Sequence, residues 1–393
     1  MQRTVGTVVR GVRTPIIKQG DKLDDIIVKS ILDCAESESI KFRDRDIVGV
    51  TEAVVARAQG NYVTLEAVGK DINNKFGDEV GVVFPILSRN RFSMILQGVA
   101  KGVKKCFLQL NYPNDEFGNP IANIDKIYEK GINPYTDEFT EAEYRKIFTA
   151  EERKNPFTGV DILDYYKSMS DNIEIIFSNN PASILKYTKN VLVADVHSRA
   201  GTKELIKKAG AEKIYSLDEI LNKSVDGSGY NEKYGLLGSN ISTDTVLKLF
   251  PRDCENFVNA LSEKLSAALG KKIEVLIFGD GAFKDPQHKI WELADPVVSP
   301  AYTSGLEGVP SEIKLKYLAD NQFRDLKGAE LEKAIKDYIK NKGSDLKASM
   351  QSQGTTPRKI TDLLGSLCDL SSGSGDKGTP VVLIQGYFDD ISV

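Results

Sequence analysis

Hydrophobic and polar residues follow their most regular pattern between residues 253 and 279. After Asp253, apolar residues recur at the spacing of one buried helix face, at positions 257, 258, 261, 265, 268 and 269. We predict a helix here, with Asp253 as its N-cap and Gly270 at its end. The next run, Ile273–Phe278, is rich in β-branched and other apolar residues and predicts a buried strand. This helix and strand form the predicted core of the protein.

The same reasoning predicts helices and strands over most of the remaining chain. A helix is expected at 23–34, and strands are expected at 44–50 and 105–110. Between residues 173 and 217 the pattern predicts strand, helix, strand, helix and strand, at 173–177, 181–187, 191–196, 203–210 and 213–217. A helix at 360–370 and a strand at 381–384 follow near the end. The predicted fold class is therefore mixed α/β (α+β).

Two segments differ in composition from the rest of the chain. Turn-forming residues are frequent from 111 to 159, and the regular α/β pattern returns after residue 161. We assign 111–228 to an inserted α/β segment of unknown role, and 1–110 together with 229–393 to the core. Residues 326–358 are rich in Lys and Glu and then polar, which predicts a charged, solvated helical insertion.

Composition and charge argue against several classes of function. The 393 residues carry a formal net charge of −4, which argues against a nucleic-acid partner. There is no apolar run of membrane-spanning length and no signal-peptide pattern at the start. The four cysteines are widely spaced without a CxxC pair, which argues against a zinc site and is typical of reduced cytoplasmic thiols. We therefore expect a cytoplasmic protein.

Asp280 is a candidate functional residue because it lies between two glycines just after a predicted buried strand. Open α/β sheets place ligand-binding groups at this end of their strands, and a carboxylate there can bind a hard cation or a hydroxyl group. The glycines would allow close approach of the backbone to a ligand. A purely structural Gly-Asp-Gly turn is the alternative interpretation.

Two other groups of polar residues have a functional and a structural interpretation. Asp115 and Glu116 could bind a metal ion, but neighbouring side chains rarely point at one ion, so the pattern favours a solvated loop. Asp195 and His197 follow a predicted strand and could perform acid–base chemistry in a hydrolase. No third partner is visible in the sequence, which favours a structural histidine.

Residues 371–380 form a loop rich in glycine and serine between the last predicted helix and strand. Backbone N–H groups of such a loop can bind phosphate groups. The order helix–loop–strand and the lack of Gly-Lys-Ser/Thr exclude a Walker A loop. A flexible connector is the alternative.

Five segments, in order along the chain, resemble motifs of the coenzyme F-420-0:γ-glutamyl ligase family. They are residues 14–23 (TPIIKQGDKL), 51–60 (TEAVVARAQG), 235–240 (GLLGSN), 246–280, which contain Asp280, and 362–386, which contain the glycine-rich loop. The resemblance covers about the first 65 residues and most of the chain after residue 235. It implies a γ-glutamyl ligase-like fold with a large insertion.

The reaction implied by this resemblance uses GTP, or ATP, and a divalent cation, Mg²⁺ or Mn²⁺. A substrate carboxylate takes the γ-phosphoryl group, and the amine of L-glutamate then displaces phosphate to form an amide. The resemblance implies that Asp280, Arg57 and Lys284 are catalytic, that Asp280 binds metal, and that the protein is a homodimer. Asp285 is a second candidate metal ligand. The implied cofactor-binding residues are Thr14, Pro15, Ile16, Ile17, Glu52, Arg57, Ser239, Asn240, Gly373, Ser374, Gly375, Asp376, Lys377, Gly378, Thr379 and Pro380.

Several positions depart from the family pattern, and the Phe-Gly-Arg-x-x-Arg segment becomes residues 282–287, which retain one basic residue, Lys284. A metal-binding aspartate falls on Leu237, a hydroxyl residue falls on Gly281, and a phosphate-contacting lysine falls on Arg57. The candidates to replace the lost carboxylate are Asp285, Glu52 and Asp244. We predict a nucleotide- and metal-dependent γ-glutamyl-type ligase acting on an unidentified carboxylate, of which the coenzyme F-420 precursor is one possibility. The alternative is a non-catalytic protein that binds a nucleotide or another phosphorylated ligand on the same fold.

Overall fold

Helices and strands alternate along the chain, and this confirms the mixed α/β class. The computed structural model describes residues 4–87, 91–155, 159–279, 283–284, 291–292, 299–343, 346, 349–352, 359–371 and 375–392. The strands are β1 (Val8–Val12), β2 (Asp46–Thr51), β3 (Tyr62–Thr64), β4 (Glu79–Val83), β5 (Lys105–Leu110), β6 (Phe139–Thr140), β7 (Ile173–Phe177), β8 (Asn190–Val193), β9 (Lys213–Ser216), β10 (Asn240–Thr243), β11 (Val246–Lys248), β12 (Ile273–Phe278), β13 (Phe283–Lys284), β14 (Trp291–Glu292), β15 (Ala301–Tyr302) and β16 (Val381–Gln385).

The α-helices are α1 (Leu23–Ser37), α2 (Glu52–Gln59), α3 (Leu65–Phe76), α4 (Phe92–Gly102), α5 (Ile124–Glu129), α6 (Glu141–Ile147), α7 (Ala150–Arg153), α8 (Ile162–Lys167), α9 (Arg199–Lys208), α10 (Cys254–Leu269), α11 (Leu315–Asp320), α12 (Gly328–Lys340) and α13 (Ile360–Ser371). Short 3₁₀ helices cover Pro181–Lys186, Leu217–Glu219, Ser304–Leu306 and Met350–Ser352.

Helix α10 and strand β12 confirm the core element predicted from the hydrophobic pattern. The helix buries one apolar face and ends at Gly270, whose φ of 62° is the left-handed conformation that glycine adopts without strain. All six residues of β12 are buried. Asp253 occupies the predicted N-cap position, but its carboxylate accepts a hydrogen bond from the Asn256 amide at 2.6 Å and does not cap the helix backbone.

Strand β12 belongs to a five-stranded sheet with the order β1-β16-β2-β12-β15. β2 and β12 are parallel, and the other neighbours are antiparallel. Helices α1 and α10 pack on one face of this sheet, and α13 packs on the other. Since β16 lies between β1 and β2, segments from both ends of the chain meet in one sheet.

A second sheet has six strands in the order β6-β7-β5-β4-β8-β9, and all neighbours except β6 and β7 are parallel. Numbered along the chain, its parallel strands lie in the order 3-2-1-4-5, as in doubly wound folds. The strands predicted between 173 and 217 are confirmed, while the helix predicted at 181–187 is a 3₁₀ helix. β4 and β5 precede residue 111, yet they belong to the same sheet as the strands that follow it.

In the loop after β5, the carboxylates of Asp115 and Glu116 accept hydrogen bonds from backbone N–H groups. The expectation of a solvated loop is therefore wrong. Asp115 is buried and accepts hydrogen bonds from the backbone N–H groups of residues 87, 117 and 119, at 2.8, 2.9 and 2.9 Å. The Glu116 carboxylate accepts from the N–H groups of residues 196, 197 and 198, at 2.8, 3.0 and 2.7 Å, just before α9. Both side chains therefore satisfy backbone donors and join the loop to the ends of β4 and β8.

Strands β10, β11 and β3 form a small antiparallel sheet beside the five-stranded one. In its register Lys248 of β11 lies between Asn240 of β10 and Tyr62 of β3. Residues paired across an antiparallel sheet share a face, so these three side chains project from the same side.

The charged segment after Pro310 contains α11 and α12, and α12 lies within the predicted helical insertion. Its Ile335 and Ile339 are buried, whereas most of its other residues are exposed. Among the helices of the described residues, none has the length and apolar character needed to cross a membrane.

Candidate functional site

A cleft of ≈ 340 Å³ lies beside the ends of β1, β2 and β16, where segments from distant parts of the chain meet. One wall consists of residues 14–17, and another consists of Gly375, Gly378 and Pro380. The remaining wall is formed by Ala53, Val54 and Arg57 of α2, by Tyr62, and by Ile241, Ser242 and Lys248 of the small sheet.

The segment after β1 and the glycine-rich loop before β16 are joined by backbone contacts. Thr14 N–H donates to the Gly378 carbonyl at 3.2 Å, and Gly378 N–H donates to the Gly375 carbonyl at 2.9 Å. Gly378 has a φ of 64°, which a residue with a side chain adopts only with strain. Ile16 is 80% exposed on the cleft wall, where it offers an apolar surface that no other described residue covers.

Helix α2 begins directly after β2, and its first turn lies on the cleft. Thr51 N–H donates to the Pro380 carbonyl at 3.0 Å, while the Thr51 side chain makes no capping hydrogen bond to the helix. Ala53 and Val54 of this first turn line the cleft, and Arg57 follows four residues after Ala53 on the same helix face. The start of a helix attracts anions through its N–H groups and dipole, so this wall suits a negatively charged ligand.

Lys248 and Glu52 form a largely buried ion pair at the cleft. The Lys248 ammonium lies 2.5 Å from Glu52 Oε1 and 2.7 Å from Oε2. The two side chains are only 12% and 10% exposed. Glu52, a predicted cofactor-binding residue, therefore has both carboxylate oxygens bound by a residue of its own chain.

Several other predicted cofactor-binding residues lie near the cleft but do not line it. Asn240 pairs with the wall residue Lys248, and its side-chain oxygen accepts from Ile241 N–H at 2.9 Å. Ser239 is buried, and its hydroxyl has no hydrogen-bond partner among the described residues. Asp376, Lys377 and Thr379 belong to the loop that supplies Gly375, Gly378 and Pro380, but they do not line the cleft.

Several predicted site residues fall where the structure gives no side chain. Asp280, Asp285, Gly373 and Ser374 lie outside the described residues. Lys284 belongs to β13, where it pairs with Trp291 of β14, and only its backbone is described. Their predicted roles stay predictions.

A family model described as F420-0:gamma-glutamyl ligase matches residues 11–386 of the chain. The chain belongs to the F420-0:gamma-glutamyl ligase family. The matched range includes residues 111–228, for which the five motifs show no resemblance. A comparison with curated proteins found no match.

For a member of this ligase family, the described residues do not fit a metal site in the cleft. Leu237, at the position of a metal-binding aspartate, is 2% exposed in the apolar core. The carboxylate of Glu52 accepts hydrogen bonds from Lys248, and Asp244 is exposed and does not line the cleft. Over the described part of the chain, no group of three or more His, Cys, Asp or Glu side chains could hold a metal ion.

The hydrolase interpretation of Asp195 and His197 has no support in the geometry around them. Asp195 accepts a hydrogen bond from the Thr202 hydroxyl at 2.7 Å and is 2% exposed. The His197 ring packs edge-on against Phe117, with 5.5 Å between the ring centroids. Burial raises the pKa of Asp195 to about 6, which the nearby Glu116 reinforces.

The sequence analysis did not identify Lys248, Tyr62 or Ile241, which line the cleft. A signal for Lys248 is present, because a lysine stands between Leu247 and Leu249 in an otherwise apolar run, 246–250. A charge in such a run is expensive to bury without a partner, and its partner Glu52 lies 196 residues away in the sequence. Only the fold shows that the two meet.

Proposed function

We propose that this family member is a nucleotide-dependent carboxylate–amine ligase that binds GTP or ATP in the cleft. The observation that supports the proposal is the convergence of residues 14–17, Arg57 and the loop 375–380 on one cavity. The family resemblance assigns these segments to the nucleotide, and they come from both ends of the chain. Their meeting in one place is not a consequence of any local sequence pattern.

Phosphoryl transfer needs positive groups and N–H donors around the phosphates more than it needs covalent chemistry. In the proposal, Arg57 and the first turn of α2 bind phosphate oxygens, and the turn at Gly378 lies close to the nucleotide. Ile16, Pro15 and Ile241 give the cleft apolar surface on which a base can pack. Lys284, Asn240 and Ser239 stay candidates for further contacts.

The metal and the second substrate are also part of the proposal. Asp280 and Asp285 remain the candidate ligands of a Mg²⁺ or Mn²⁺ ion, and a cation bound there would balance phosphate charge. The amine is L-glutamate, and the carboxylate is unidentified, with the coenzyme F-420 precursor as one candidate. A homodimer in the cytoplasm is the assembly that the family resemblance implies.

A non-catalytic protein that binds a nucleotide or another phosphorylated ligand is the second candidate. The burial of Leu237 in the apolar core favours it, because that position cannot ligate a metal ion. This candidate predicts ligand binding in the same cleft without turnover.

The test combines binding with trapping of the acyl phosphate. Purified protein is titrated with GTP and ATP, each with Mg²⁺, with Mn²⁺ or with EDTA, and thermal stability is followed. Hydroxylamine is then added with candidate carboxylates, since it converts an acyl phosphate into a hydroxamate that is measured directly. A ligase gives nucleotide-dependent hydroxamate and metal-dependent stabilisation that Asp280→Ala abolishes.

Arg57→Ala should weaken nucleotide binding by roughly 10- to 150-fold, because a charge-assisted hydrogen bond to phosphate contributes roughly 1.5–3 kcal/mol. The control is Arg324→Ala, which removes an exposed arginine that does not line the cleft. Stabilisation by nucleotide with no hydroxamate from any carboxylate would support the non-catalytic binder. Absence of nucleotide binding by the wild type would contradict the ligase and would leave only a binder of another phosphorylated ligand.

A further inference from the structure

Arg57 and Lys248 are the cationic side chains among the described residues that line the cleft, and Lys248 is the more buried of the two. It lies in the middle of the small sheet, between Asn240 and Tyr62. Its neighbours in the chain, Leu247 and Leu249, are fully buried. Burying a lysine here costs desolvation that an apolar side chain would avoid, and this favours a role in binding over a role in packing.

We propose that Lys248 binds a phosphoryl group of the ligand in the cleft and that Glu52 is the positioning residue that holds its ammonium there. This proposal rests on the proposed function, because it assigns a role within the same cleft. Glu52 is the first residue of α2, and Ala53 and Val54 of the same helix turn line the cleft. The pair therefore ties the Lys248 ammonium to the side chain of the first residue of α2.

The N–H donors of the Lys248 ammonium support its proposed role in binding a phosphoryl group. A lysine ammonium has three N–H donors, and Glu52 Oε1 and Oε2 accept at two contacts. No other described residue accepts from this ammonium, and Lys248 lines the cleft, so its third N–H can serve a ligand. Arg57 lies on the same wall, so the two cations and Glu52 leave a net positive charge at this end of the cleft.

A carboxylate could use the same donors, and the shared chemistry is that of an oxyanion. The helix start and two cations on one wall favour a phosphoryl group, which carries more charge and more acceptor oxygens than a carboxylate. Binding measurements distinguish the two types of ligand, with tripolyphosphate as the phosphoryl ligand and L-glutamate as the carboxylate ligand.

The experiment measures binding of tripolyphosphate and of GTP by isothermal titration calorimetry, in EDTA and again in Mg²⁺. Lys248→Met should weaken binding of tripolyphosphate in EDTA at least tenfold, and Lys248→Arg should recover part of the loss. L-Glutamate should show no dependence on Lys248. The control is Lys75→Met, which breaks another largely buried lysine–carboxylate pair, with Asp71, at a distance from the cleft.

A double variant separates the role of Lys248 from the effect of exposing Glu52. Lys248→Met leaves a carboxylate unpaired, and this charge would itself repel an anion. In Glu52→Gln/Lys248→Met both charges are absent, so binding should stay at least fivefold weaker than in the wild type. Recovery of wild-type affinity in the double variant would overturn the proposal, as would unchanged affinity in Lys248→Met.

The outcomes also distinguish this proposal from the proposed function. Tripolyphosphate binding that depends on Lys248, in a protein that forms no hydroxamate, supports the role of Lys248 and contradicts the ligase. Nucleotide turnover that Lys248→Met leaves intact contradicts the role of Lys248 and supports the ligase. A wild-type protein that binds neither tripolyphosphate nor GTP contradicts both.

Discussion

At the scale of single residues, three carboxylates of this protein satisfy donors in distant parts of the chain. Asp115, Glu116 and Glu52 each accept hydrogen bonds from groups distant in sequence. Asp195 differs, because one of its oxygens is buried with no hydrogen-bond partner among the described residues. An ionised carboxylate in this position is unfavourable, and this is the physical cause of its raised pKa.

Asp195 should make the stability of the protein depend on pH. Burial raises its pKa from the usual 3.8 to about 6, so the folded state binds the proton more tightly. Protonation of Asp195 stabilises the folded protein fully below pH about 4. This stabilisation, at most roughly 3 kcal/mol, is lost as the pH rises through 6. Asp195→Asn cannot ionise, so its free energy of unfolding relative to the wild type should increase between pH 4 and pH 8.

Urea denaturation at several pH values measures this difference. The control is Asp33→Asn on α1, where the carboxylate is 62% exposed. The same pH dependence in both variants would contradict the assignment to Asp195.

At the scale of elements, two helices pack unusually closely because glycines meet at their contact. Gly69 of α3 lies against Gly98 and Gly102 of α4, and a Cβ added at Gly102 would come within 2.2 Å of the Gly69 carbonyl oxygen. Backbone atoms cannot move aside as a flexible side chain can. The contact of α3 with α4 therefore depends on the absence of side chains at these positions.

Gly102→Ala should destabilise the protein by about 1–3 kcal/mol, the usual cost of overpacking a core. Gly201→Ala is the matched control, because a Cβ at Gly201 in α9 would meet no atom within 4 Å. Alanine is the better helix former, so this control should be neutral or stabilising by about 0.5–1 kcal/mol. Thermal or chemical denaturation of the two variants gives the comparison, and equal effects would argue against the close contact.

At the scale of the whole molecule, the cleft connects segments that are far apart in the chain. β1 and β16 pair directly, and β16 also pairs with β2, so the residues that follow β1 and precede β16 are brought together. The six-stranded sheet lines no part of this cleft, although its core also includes Val63 and Leu247 of the small sheet. A ligand in the cleft should therefore affect the two sheets differently.

Binding of GTP should protect backbone amides in three separate segments at once. Hydrogen–deuterium exchange followed by mass spectrometry should show slower exchange at residues 14–17, 52–57 and 375–380. Residues 191–196 of the six-stranded sheet serve as the internal control and should not change. Protection limited to one segment, or centred on the six-stranded sheet, would place the ligand elsewhere.

The sequence by itself determined the elements whose pattern is local. The helix ending at Gly270, the strand Ile273–Phe278 and the strands between 173 and 217 follow from spacing of apolar residues, because helix and strand geometry fix that spacing. The motifs near residues 14, 57 and 375 indicated which segments belong to a common site. The match to the F420-0:gamma-glutamyl ligase family model confirmed the family that these motifs resemble.

Only the tertiary structure decided which distant groups meet. It placed β4 and β5 in one sheet with the strands after residue 111, and it turned Asp115 and Glu116 inward as hydrogen-bond acceptors. It also joined Lys248 to Glu52. Sheet order and ion pairing depend on long-range packing, and a local pattern of apolar and polar residues contains no information about the partner of a charge.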